Sequence, residues 1–233
     1  GDACAVEDER FVLWRAGRRE VLGPVADAPI TFGGGARHNV ANALAAIGAA
    51  AVLGVSPELI GQGLRAFQGS ATDNPGRSNV YEVGGVRVVV DFAHNPRGMA
   101  ALAEIATALP ARRRLVVIGQ AGDRDDDAIR ELARAAQAIR PDHVVVKEME
   151  KYRRGRAPGE VPGLLVAELR RLGVAEAAVS TAPDDLAALR QALNWSQPGD
   201  LLLVTIHVEQ QAALGLLDRI RREAWEPGRP FPR

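Results

Sequence analysis

The most constraining feature of this 233-residue chain is a change of rhythm near residue 80. Beyond it, short uninterrupted apolar runs alternate with segments of helical period. The runs fall at 80–83, 86–93, 115–119, 143–147, 177–181 and 201–207, and the helical stretches near 97–109, 125–139, 161–172, 184–194 and 208–223. A run such as Val88-Val89-Val90 leaves no polar side for water, so it predicts a strand buried on both faces, as in a parallel sheet wrapped by helices. The alternation predicts an α/β domain with a Rossmann-like, mostly parallel, six-stranded sheet over residues 76–233.

Residues 1–75 read differently. Phe11-Val12-Leu13-Trp14 and Glu20-Val21-Leu22 flank the polar stretch Ala16-Gly17-Arg18-Arg19, which predicts a hairpin. A helix rich in small residues is expected from about Arg37 to Ala50. Ser56-Pro57 opens a second one through Phe67, with Ser at N-cap and Pro in the first turn. The turn formers of 69–79 mark a linker.

Bulk properties exclude several classes. The formal net charge is zero, which argues against nucleic acid or an acidic membrane surface as partner. The single cysteine, Cys4, excludes an internal disulfide and any cysteine-based metal cluster, and a reducing, cytoplasmic setting is expected. No run of about 18 apolar residues marks a membrane span. Only two of the 29 basic residues are lysines, Lys147 and Lys151, leaving 27 arginines, which reads first as coding bias. The chain opens on Gly1 rather than Met, as expected of a piece of a longer polypeptide.

Ligands of parallel sheets gather at the carboxyl ends of strands, where helix N-termini offer free N–H groups. Two polar segments fall there: Asp91-Phe92-Ala93-His94-Asn95-Pro96, and Gly119-Gln120-Ala121-Gly122-Asp123-Arg124-Asp125. Asp125, Asp126 and Asp127 suit helix capping. Asp123 and Arg124 form a charge pair beside a glycine turn, fit for a metal-bound phosphate or a carboxylate. His94-Asn95 alone is as well explained by a structural turn as by a ligand. Asn39 and Asn42, three apart on one helix, suit either reading of a base edge or, for Asn39, N-capping. Arg77 lies in the linker within reach of an anion.

Taken in order, His38-Asn39, Asn42, Pro75-Gly76-Arg77, the 91–96 segment and Gly122-Asp123-Arg124 resemble the second half of a Mur ligase. Within that superfamily, Val146-Lys147-Glu148, Arg153-Arg154-Gly155-Arg156 and Gly159-Glu160 are most similar to the cyanophycin synthetases. The resemblance implies an enzyme that uses ATP and Mg²⁺ to join an amino acid to a carboxylate through an acyl phosphate. It implies that residues 1–75 are the tail of a central ATP-binding domain. It places Asn39 and Asn42 near adenine, Arg77 and Asp91 near ribose and phosphates, and His94 and Asn95 in the nucleotide cleft, with Asp123 and Arg124 beside it. Asp91 and His94 are the implied catalytic pair, and no metal ligand is assigned within the chain. Residues 147–160 take the place of amino-acid recognition, with Glu148, Arg153, Arg154, Arg156 and Glu160 as substrate contacts, although a charge run there also suits a solvated loop. The implied partners are ATP, the amino-acid or peptide substrate, the upstream domain and a second copy of the chain. Met149, Glu150, Tyr152 and His207 depart from the pattern, which puts the particular substrate in doubt.

No Gly-Lys-Ser/Thr phosphate loop occurs; Gly33-Gly34-Gly35 leads only to Ala36-Arg37. The chain alone is therefore expected to be inert, its active site completed by residues upstream. Two other readings stay open: a non-catalytic assembly module derived from such a ligase, and an unrelated α/β enzyme using Asp91, His94 and Asp123 for acid–base work.

Overall fold

The computed structural model describes residues 2–232, and the chain divides into two compact units, Gly1–Asp73 and Asn74–Arg233.

In the first unit, strands β1 (Ala3–Glu7), β2 (Arg10–Arg15) and β3 (Arg18–Pro24) form an antiparallel three-stranded sheet. The sequence predicted only a two-stranded hairpin around 16–19. Its turn is tighter, with Ala16 and Gly17 both left-handed, and β1 went unseen because Ala3-Cys4-Ala5 carries little strand propensity. Helices α1 (Arg37–Val52) and α2 (Pro57–Ala66) complete the unit. Its core is Phe11, Leu13, Leu22, Val25, Ala28, Ala43, Ile47 and Ile60. Ser56 caps α2, accepting from the N–H of Leu59 at 3.4 Å. Asn39 does not cap α1: the cap position is Ala36.

The second unit carries six strands in the order β4-β5-β9-β6-β7-β8. These are β4 (Asn79–Val83), β5 (Val86–Asp91), β6 (Arg114–Ile118), β7 (His143–Lys147), β8 (Val179–Ala182) and β9 (Leu201–Thr205). Only β4 runs antiparallel, pairing with β5, and all other pairings are parallel. The periodicities explain the positions. Central β9 is buried at all five residues, whereas edge strand β4 alternates buried and exposed. Helices α3 (Pro96–Ala108), α4 (Asp126–Ala136) and α5 (Glu160–Arg171) pack in series, while α6 (Asp185–Trp195) covers β6, β7, β8 and β9, and α7 (Gln210–Arg222) packs on α6 and β4.

Several strands end earlier than their apolar runs. Those beginning at 86 and 201 stop at Asp91 and Thr205, so Phe92, Ala93, Ile206 and His207 belong to the loops above the sheet. Residues 176–178 form a 3₁₀ turn before β8, and the helix expected over 125–139 passes into a 3₁₀ turn at Gln137–Ile139, ended by left-handed Arg140. Asp125 is the cap of α4, accepting from Ala128 N at 2.8 Å, with Asp126 and Asp127 in the first turn. Buried Glu168 on α5 ties to α4 through Arg134 at 2.6 Å.

Candidate functional site

The carboxyl ends of β5, β9, β6, β7 and β8 bring most of the candidate residues of the second unit to one side of the sheet. At the end of β5, Asp91 Oδ2 accepts from the N–H of Ser78 at 2.9 Å and from its hydroxyl at 3.0 Å. Asp91 Oδ1 has no partner among the described residues. The Arg77 guanidinium lies 5.0 Å from the centre of the Phe92 ring, a cation–π arrangement.

Phe92 also meets His94 and His207 edge-on, at 5.4 Å and 5.1 Å. His94 Nδ1 lies 3.0 Å from Phe92 O, and Asn95 Nδ2 lies 3.3 Å from His94 Nε2. Both contacts form together when Nδ1 donates and Nε2 accepts. Asn95 Oδ1 accepts from Gly98 N at 2.8 Å, and Pro96 opens the helix. The turn and ligand readings of His94-Asn95 are therefore compatible, because the capped turn holds the exposed imidazole in one orientation.

The second segment joins the third through Arg156. Its Nε donates to Gly122 O at 3.0 Å and its Nη2 to Arg124 O at 2.7 Å. Its Nη1 reaches Asp126 and Glu160, both at 2.8 Å. Glu160 also accepts from Ala157 N at 2.9 Å; that bond and the guanidinium hold its carboxyl below the ordinary range. Gly122 N donates to Tyr152 O at 2.8 Å, and a Cβ at Gly122 would lie 2.0 Å from Arg153 O, so only glycine allows this approach. The charged 148–160 loop is thus held in place rather than freely solvated. Asp123 and Arg124, expected as a pair, do not bond each other. Both are exposed, and neither side chain has a partner among the described residues.

Beyond that clasp, a cavity of about 940 Å³ is lined by Glu148, Glu150, Arg153, Val166, Arg170 and Thr181, with smaller apolar neighbours. Arg153 pairs with Glu150 at 2.7 Å and Arg170 with Glu176 at 2.8 Å. Among the described residues Glu148 bonds only to backbone, accepting from Met149 N at 2.9 Å and Gly159 N at 2.7 Å. Arg154 lies over the Tyr152 ring at 5.3 Å.

Sequence reasoning missed the buried cluster beneath these loops. Lys147, fully buried, bonds the Asp185 carboxylate and donates to Thr205 O at 2.5 Å. Burial alone would push the Asp185 carboxyl up; the Lys147 ammonium and the N–H groups of Val208 and Glu209 outweigh it and hold the group ionised. His207 Nε2 donates to Ala93 O at 3.1 Å, while its Nδ1 is buried without a partner among the described residues. Burial, aided by the Lys147 charge, pushes the His207 pKa down to about 3. The available signal was Lys147 itself, one of two lysines in an arginine-rich chain, closing a run of three valines.

In the first unit, Asn39 Nδ2 donates to Ile30 O at 2.7 Å and Asn42 Nδ2 to Asn39 Oδ1 at 3.4 Å. The Gly33-Gly34-Gly35 turn uses its own N–H groups: Gly34 N donates toward Thr31 and Gly35 N to Phe32 O. That turn offers phosphate no cradle of free donors.

A parallel sheet whose carboxyl ends present Asp-Phe-Ala-His-Asn-Pro and Gly-Asp-Arg defines a class. The family described as "Mur ligase, glutamate ligase domain" matches residues 76–205, more than half of the chain, and the chain belongs to it. It is 38% identical over 176 residues to the cyanophycin synthetase of Synechocystis sp., covering 76% of this chain and 20% of that protein. It is 36% identical to the UDP-N-acetylmuramate–L-alanine ligase of Phenylobacterium zucineum, over 72% of this chain and 34% of that one. The chain therefore spans about a fifth of the length of that cyanophycin synthetase. Among solved structures, E. coli FolC in complex with ADP shares the fold with TM-score 0.66 at 22% identity, over 95% of this chain and 47% of that one. MurF from Acinetobacter baumannii does so at 0.62 and 19%, over 92% and 44%.

Proposed function

We propose that this chain is the C-terminal part of an ATP-dependent amide ligase resembling cyanophycin synthetase, with residues 1–75 the end of its nucleotide-binding domain. The ligase phosphorylates a carboxylate from ATP, giving an acyl phosphate and ADP. An amine then attacks the carbonyl, expelling phosphate and forming the amide. The observation that carries this reading is the 91–95 segment above β5, with a carboxylate oxygen of Asp91 left open beside Arg77 and the oriented His94. That end of a parallel sheet is where such folds place ligands.

The residues present fit only part of an ATP–Mg²⁺ complex. Asp91 and Arg77 offer an acceptor and a cation to ribose or phosphate. No group of three metal-ligating side chains occurs among the described residues, and the chain has no phosphate loop. Mg²⁺ and the triphosphate are assigned to upstream residues of the intact ligase. In the amino-acid site, Glu148 and Arg153 face the cavity, while Arg156 and Glu160 fix the loop that carries them.

The test is amino-acid-dependent ATP hydrolysis by the intact ligase. Asp91→Ala lowers turnover at least tenfold, about 1.4 kcal/mol of barrier. Glu148→Lys raises the KM for one amino acid far more than for ATP. Hydrolysis indifferent to any added amino acid would favour the assembly-module reading instead.

A further inference from the structure

The two loops of the proposed site, 91–95 above β5 and 148–160 above β7, belong to strands that are not neighbours in the sheet. Between them lie β9 and β6. One buried series of polar contacts crosses that gap. It starts at Lys147, the last residue of β7 and the root of the 148–160 loop. Its ammonium reaches Thr205 O at the end of β9 and the carboxylate of Asp185 at the start of α6. The other oxygen of Asp185 accepts from three consecutive N–H groups, His207 at 3.0 Å, Val208 at 2.6 Å and Glu209 at 2.9 Å. That fixes the loop after β9. His207 then donates through Nε2 to Ala93 O and lays its ring against Phe92, which carries His94 on one side and Arg77 over its face.

We infer that Lys147 is a positioning residue for residues 92–95, acting through Asp185 and His207, so that the root of the 148–160 loop sets the orientation of His94. Three observations point away from plain packing. A buried ion pair is weak evidence for stability, since apolar residues of similar volume often serve as well. Asp185 Oδ2 is instead spent on three N–H groups of the loop after β9, and the Lys147 ammonium on Asp185 Oδ1 and the last carbonyl of β9. The chain also uses arginine at 27 of 29 basic positions yet has lysine here. A guanidinium is a planar fork, whereas the compact ammonium reaches Thr205 O and the Asp185 carboxylate from one point. Gly119, the first residue after β6, leaves room for the stem: a Cβ there would stand 2.7 Å from Lys147 Cγ.

That His94 matters to catalysis rests on the ligase reading; the coupling itself does not, and the two are tested apart. Amide exchange on the 233-residue chain reads the coupling. In the double variant Lys147→Met/Asp185→Leu, an apolar pair replaces the charged one, so the interior stays filled. Exchange at the amides of Gly98 and Met99, both bonded to Asn95, and at 207–209 rises at least tenfold, while the β4–β5 ladder keeps its protection. In His207→Phe the pair is intact, so 207–209 stay protected and only 93–99 loosen. Unchanged exchange at 93–99 in the double variant overturns the proposal, as does a uniform rise that includes the β4–β5 ladder. In the intact ligase, His207→Phe lowers kcat at least tenfold with the KM for the amino acid within twofold. Loosened exchange with kcat unchanged would keep the coupling and remove residues 92–95 from the ligase reaction.

Discussion

Replacing Gly119 with alanine puts one methyl group into the slot that the Lys147 stem occupies. The added Cβ would lie 2.7 Å from Lys147 Cγ, 2.9 Å from Cε and 3.2 Å from its carbonyl oxygen. Gly119 is not in the left-handed region, so backbone strain does not enter and the cost is steric. Lys147 cannot swing away, being fully buried and tied at its end to Asp185 and Thr205 O. Forcing a methyl group into a filled interior costs about 1–3 kcal/mol. The natural control is Gly215, exposed on α7 with nothing within 4 Å of its would-be Cβ. Alanine there removes backbone entropy from the unfolded chain and gains about 0.5–1 kcal/mol. Urea denaturation measures both, in a Trp14→Phe background so that fluorescence from Trp195 and Trp225 follows the second unit. The two variants should move the midpoint in opposite directions with the m-value unchanged. Equal midpoints for Gly119→Ala and Gly215→Ala would refute the reasoning, because they would show that the Lys147 slot tolerates a methyl group.

Acid should weaken the second unit through His207. Its folded pKa of about 3 lies below the ordinary 6.5, so the unfolded chain takes up the proton first. This contribution is complete above about pH 6.5 and is lost as the pH falls toward 3. The loss approaches 1.4 kcal/mol per pH unit within that window. His143, also pushed down by burial, adds to the slope but is retained in His207→Phe, so the difference in urea midpoints between pH 6.5 and 5.5 isolates His207; equal pH dependence in wild type and variant would contradict this. The isolated chain should bind ATP no better than millimolar, about −4 kcal/mol, because it lacks the phosphate loop; micromolar binding by calorimetry would show that residues present here hold the phosphates.

How much of this was legible in the sequence depends on what kind of contact is involved. The mostly parallel sheet was readable because Val88-Val89-Val90 and Leu201-Leu202-Leu203 leave water no face, and that pattern has few folded solutions. Caps were readable where side chain and backbone are near in sequence, as at Ser56 and Asp125. Asn39 misled because its side chain serves Ile30, nine residues back, rather than the start of its own helix. The points where strands yield to loops were not readable either. Ile206 and His207 continue the apolar pattern of β9, but the chain turns there because Asp185 captures three of its N–H groups. The role of Arg156 was out of reach for the same reason: its partners at Gly122, Arg124 and Asp126 are some thirty residues away. Asp123 and Arg124 look paired on paper, yet adjacent residues on an exposed turn gain little by bonding each other in water.

The most direct test of the central claim follows an oxygen atom. The intact ligase is given ATP, an amino acid and an acceptor whose carboxylate carries ¹⁸O. If the acceptor is activated as an acyl phosphate, ATP is cleaved to ADP, and the phosphate released on amide formation carries one ¹⁸O from the carboxylate. Both events slow at least tenfold when Asp91 becomes alanine. Release of AMP and pyrophosphate, or unlabelled phosphate alongside amide product, would contradict the account.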